Sequence, residues 1–98
     1  MEKQAFQDSI LRNFTGADGR LKSIPSQKKK KLVILEHMVA KLDPSKTYNE
    51  KEVNEFIKQF HDDFCTIRRE FVINGYVNRE NSIYSVNDKE EWNKWQDL

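Results

Sequence analysis

Ninety-eight residues, 37% hydrophobic and 34% charged, are enough for one domain with a modest core. The lone cysteine, Cys65, excludes an intrachain disulfide and any metal site built on thiolate pairs. The net charge of +1 hides two basic blocks: residues 20–42 hold seven Lys and Arg against one Glu, a net of +6, and residues 64–79 hold three against one, a net of +2.

Local blocks of this kind can bind polyphosphate whatever the total charge, because local potential and counterion release decide the interaction. The structural alternative is a solvated lysine face. No apolar run approaches the roughly 18 residues that span a bilayer, and Glu2, Lys3 and Gln4 lead into no signal-peptide core. A cytoplasmic protein with no membrane association is expected.

Phe6, Ile10, Leu11 and Phe14 recur at helical spacing over Lys3 to Phe14, and Gly16 to Gly19 stop that helix. Its apolar stripe can pack on the rest of the chain or on a second copy. Arg20 to Ile24 alternate polar with apolar residues up to Pro25, a short strand or extended arm. Ser26 is then placed to cap a helix running to Leu42, buried along Leu32, Leu35, Met38, Val39 and Leu42, with Lys30, Glu36, His37 and Lys41 on its other side. Four lysines in its opening turns oppose the helix dipole, a cost that an outside anion would offset.

Thr47-Tyr48 precede the most regular segment. Asn49 and Glu52 have capping-box spacing, and Val53, Phe56, Ile57 and Phe60 follow the i, i+3, i+4, i+7 pattern of a helix over Glu50 to Phe60. Asp62 or Asp63 can cap the next helix, Asp63 to Asn74, whose buried stripe is Phe64, Ile67, Phe71 and Val72. Two short helices joined so tightly must cross steeply. Gly75 ends the second in the C′ position, and Tyr76 to Arg79 and Ile83 to Val86 flank Glu80-Asn81-Ser82 as a hairpin. Trp92 and Trp95 lie one turn apart in a short helical tail that presses one or both rings onto the domain.

These elements predict a mainly α chain with a small β-hairpin: a winged helix-turn-helix with extra N-terminal and C-terminal helices. The domain is single, 1–98, with an amphipathic helix at 1–15, the winged core at 20–86 and the tail at 89–98. At Gly19-Arg20-Leu21-Lys22-Ser23-Ile24-Pro25, Glu50-Lys51-Glu52-Val53-Asn54-Glu55, and Asp62-Asp63 with Thr66-Ile67-Arg68-Arg69-Glu70, the chain resembles a bacterial domain-of-unknown-function family. The likeness covers roughly residues 10–86. Members of that family occur alone or behind a DNA-binding domain of the arsenical-resistance-repressor type. The resemblance therefore implies a winged-helix-like fold in a transcription-regulator setting, and it supplies no ligand or catalytic residue.

On a helical wheel of Asp63 to Asn74, the face opposite Phe64, Ile67 and Phe71 holds Thr66, Arg69, Glu70 and Ile73. In a recognition helix Arg69 would reach guanine in the major groove, and Thr66 or Ile73 a thymine methyl. Arg68 falls near the buried face and is expected to pair with Glu52 or Glu55. Arg20 and Lys22 on the arm, Lys28 and Lys30 on the first core helix and Arg79 on the wing are the candidate phosphate contacts, which fix register without reading sequence. Asp62, Asp63 and Glu80 oppose that reading unless they are turned inward as caps or mark a protein-contact surface.

No catalytic residue, metal site or cofactor is expected. His37 and His61 lie on different predicted elements, Cys65 is placed near a buried stripe as a small core residue, and Asp62-Asp63 read as caps. The leading expectation is a non-catalytic regulator of duplex DNA, forming a homodimer through the terminal helices. The alternative is a winged-helix module that docks on another regulator or protein and does not bind DNA itself. A shape-based RNA binder ranks last, since no sheet displays the exposed aromatics of single-strand readers.

Overall fold

A computed structural model describes residues 2–98. The chain is mainly α with a small antiparallel sheet, the class expected. The first helix, α1 (Glu2–Phe14), packs on α2 (Lys28–Val39). There follow β1 (Thr47–Asn49), α3 (Glu50–Lys58), α4 (Phe64–Ile73), β2 (Val77–Glu80) and β3 (Ile83–Val86). The sheet order is β1-β3-β2, so β3 is the central strand. Two 3-10 turns, Lys89–Glu91 and Trp95–Asp97, stand where a single tail helix was expected.

The core gathers α2 with side chains of α1, α3, α4, the sheet and the tail. Leu32, Leu35, Met38 and Val39 are buried as the wheel required, and Val33 and Ile34 are buried too, because α1, α4 and the tail surround α2 on several sides. Helix α2 starts one residue later than the Ser26 cap implied: Gln27 is its N-cap and makes no side-chain capping bond. It also ends at Val39 rather than Leu42, although Leu42 remains buried in the turn that follows.

Local rules hold best at α3. Asn49 Oδ1 accepts from the Glu52 amide at 2.8 Å, and Glu52 Oε1 accepts from the Asn49 amide at 2.9 Å, closing the expected box. The helix stops at Lys58, and Phe60 sits in the turn beyond it. Asp63 caps α4 by accepting from the Thr66 amide at 3.4 Å. Ile67 and Phe71 are fully buried, but Val72, expected in that stripe, is 37% exposed.

Gly75 (φ 77°) reverses the chain after α4, and a Cβ there would overlap the Glu91 carbonyl oxygen. Tyr76 is in the core rather than in the strand, and Glu80 takes the last position of β2. The hairpin loop is therefore two residues, Asn81 and Ser82, with φ of 53° and 63°. Positive φ at both positions is the conformation whose twist matches paired strands.

The arm at Arg20–Ile24 is extended. Leu21 bridges to Thr15, its amide donates to the Phe60 carbonyl at 2.7 Å, and its side chain joins the core. Both terminal segments are spent within the chain. Phe6 packs on Trp95 with ring centroids 5.3 Å apart, and Trp92 lies edge-on to Tyr76 at 5.1 Å. Among the described residues, no helix is long and apolar enough to cross a membrane.

Candidate functional site

Helix α4 turns Ile67 and Phe71 inward, which leaves Arg69 and Ile73 outward, Ile73 at 65% exposure. Thr66 is half-buried at the start of the same face. The hairpin stands beside the end of this helix, and the two enclose a cleft of about 160 Å³ lined by Arg68, Arg69, Val72, Ile73, Arg79 and Tyr84. Two residues picked for opposite roles, Arg69 for bases and Arg79 for phosphate, thus share one wall-to-wall site.

Three of the lining residues, Arg68, Arg79 and Tyr84, meet Glu50, which lies at the first turn of α3 and is not itself part of the cleft wall. Its Oε1 accepts from the Tyr84 hydroxyl at 2.9 Å and lies 3.5 Å from Arg79 Nη2 and 3.9 Å from Arg68 Nε. Arg68 Nη1 also donates to the side-chain oxygen of Asn54. Arg68 is paired as expected, but with Glu50 and Asn54 instead of Glu52 or Glu55, because Glu50 and Asn54 share the α3 face turned to α4. That i, i+4 spacing is the signal in the sequence that could have pointed to them. Arg79 faces Tyr84 across the β2–β3 register, its guanidinium 5.9 Å from the ring centroid. Burial, then the Glu50 bond, pushes the Tyr84 hydroxyl above its ordinary range, so it stays a donor.

The lysine run of α2 does not form one face. At about 100° per residue, four successive lysines fan around a helix. Lys28 points into solvent, Lys29 Nζ lies 5.1 Å from the Phe6 ring centroid, and Lys30 borders a recess with Phe14, Ile24 and Pro25. Lys31 meets Glu70 at 3.3 Å. Glu70, read from the wheel as outward-facing, is therefore turned to α2, and its second oxygen accepts from Asn74 Nδ2 at 2.9 Å.

Arg20 is held between Asp62, at 2.9 Å, and the Lys58 carbonyl, at 2.6 Å. Lys22 is exposed on the arm. Asp62 thereby opposes an arginine of its own chain, and Asp63 is a cap. Cys65, expected near the core, is exposed, one position off the buried stripe. Among the described residues, no three His, Cys, Asp or Glu side chains are grouped so as to hold a metal ion.

The model of the bacterial family described as an uncharacterized protein conserved in bacteria, DUF2087, matches residues 20–86, and the chain belongs to that family. The match spans the arm, α2 to α4 and the hairpin, and so includes every residue of the cleft. No curated protein and no solved structure matches the chain significantly.

Proposed function

We propose that this DUF2087 member is a winged-helix module that binds duplex DNA in a cytoplasmic transcription-regulator setting and catalyses no reaction. The observation that carries this reading is the pairing of Arg69, outward on α4, with Arg79 on the adjoining hairpin, in one cleft. The order α2-β1-α3-α4-β2-β3, with β3 between β1 and β2, supports α4 as the reading helix and the hairpin as the wing.

In this reading Arg69 reads guanine, and Thr66 and Ile73 meet thymine methyls. Lys22, Lys28, Lys30 and Arg79 contact phosphate. Arg20 contributes only if it leaves Asp62. Sharp operator choice requires two copies. Since Phe6 and Trp95 pack on each other, a homodimer through the terminal segments would use the outer side of α1.

The exposure of Val72 and Ile73 favours a second reading, a protein-docking module that serves another regulator without touching DNA. Fluorescence anisotropy with a random duplex of about 30 base pairs separates the two. Micromolar, salt-sensitive binding that weakens in Arg69→Ala and Lys30→Ala supports the first. Absence of binding at low salt rejects it in favour of the second.

A further inference from the structure

We infer that the cleft between α4 and the hairpin is an anion site for a phosphate or phosphodiester group, two of whose arginines are engaged in the free protein by the chain's own Glu50 carboxylate. Where the anion is a duplex phosphate, this rests on the DNA-binding reading above.

Three guanidinium groups, of Arg68, Arg69 and Arg79, converge on the cleft against one carboxylate, leaving a net of +2 there. Arg69 has no ion pair among the described residues. The contacts of Glu50 with Arg68 and Arg79, at 3.9 and 3.5 Å, are too long for good hydrogen bonds, so the Arg79 guanidinium is attracted but not satisfied, while Arg68 spends Nη1 on Asn54. Among the described residues only Tyr84, at 2.9 Å, donates a side-chain hydrogen bond to Glu50. Glu50 is 40% exposed, on the first turn of α3, and free to swing toward water.

A tetrahedral oxyanion offers several oxygens to arginine forks where Glu50 offers one, and it accepts the Tyr84 hydroxyl in the same place. Val72 and Ile73 supply an apolar wall for the sugar carbons that adjoin a backbone phosphate, a feature a free ion would not use. The continuity of the cleft with Arg69 on the outward face of α4 also favours the duplex as the source of the anion.

Glu50 is thus a competing counter-ion, and removing its charge should strengthen anion binding. Gln at this position keeps an acceptor for Tyr84 and preserves the fold. The test follows the arginine Nε–Hε resonances of the full chain by NMR during titration with a duplex of about 20 base pairs or with inorganic phosphate. Duplex anisotropy runs in parallel for the wild type, Glu50→Gln, Arg79→Ala and Arg69→Ala.

The expected result is movement of the Arg68 and Arg79 resonances with duplex, tightening of roughly three- to fivefold in Glu50→Gln, and weakening in Arg79→Ala. Movement of the same resonances with inorganic phosphate, stronger in Glu50→Gln, without any duplex binding supports the anion site with a free anion as its source and ends the DNA reading. Unmoved resonances, or unchanged affinity in Glu50→Gln while duplex still binds through Arg69, overturn the anion site and leave the DNA reading standing.

Discussion

Gly75 and Asn74 fix how α4 hands over to the hairpin. Gly75 has φ of 77°, and a side chain there would run into the Glu91 carbonyl, so Gly75→Ala is predicted to cost about 2–3 kcal/mol in chemical denaturation. The glycine's role as a helix stop was legible from its position, but the obstacle was not, since Glu91 arrives from a later segment. Asn74, 4% exposed, is a residue that periodicity alone passes over. Its Nδ2 donates to the Glu70 carboxylate and its Oδ1 accepts from Asn93 at 3.1 Å, tying α4 to the tail. His37 supplies a pH signature. Burial, then Lys41, holds its pKa below the usual 6.5, so the unfolded chain takes up the proton first. Stability is therefore predicted to fall as the pH drops through about 6.5 toward the lowered folded value, and His37→Gln should flatten that part of a pH series of melting temperatures.

Elements built on local chemistry followed the sequence closely, and elements set by neighbours did not. The Asn49–Glu52 box is a four-residue motif and appears as spaced; Asn49→Ala is predicted to destabilise by about 1 kcal/mol, read from urea midpoints. The hairpin was legible, but its length was not: cross-strand register sets a two-residue loop, which puts Ser82 at positive φ. Replacing Ser82 with Gly completes the preferred Asn-Gly turn and is predicted to raise stability by about 1 kcal/mol. The lysine run shows the opposite limit. Consecutive residues looked like one basic face, yet helix geometry sends Lys29 to Phe6, Lys30 to the edge of a recess and Lys31 to Glu70, leaving Lys28 as the exposed one of the four. Pairings such as Arg20 with Asp62, 42 residues apart, depend on the assembled fold and leave no local trace.

At the scale of the whole molecule, the terminal segments close one side of the domain and leave the α4–hairpin side open. Trp95 is 3% exposed against Phe6, and its indole N–H is buried without a partner among the described residues. Trp95→Ala is predicted to cost about 3–5 kcal/mol. Trp95→Phe should cost far less, because it keeps most of the packing and removes the unpaired donor. With that side closed, the cleft and the outward row of α4 bring three arginines beside the exposed apolar side chains Val72 and Ile73. Binding of duplex DNA through phosphate contacts is tested most directly by the dependence of duplex affinity on salt. Four contacts, by Lys22, Lys28, Lys30 and Arg79, predict a slope of log K against log salt of roughly −3.5, and a shallower one in Arg79→Ala. A slope near zero, or no duplex binding at low salt, would contradict the claim.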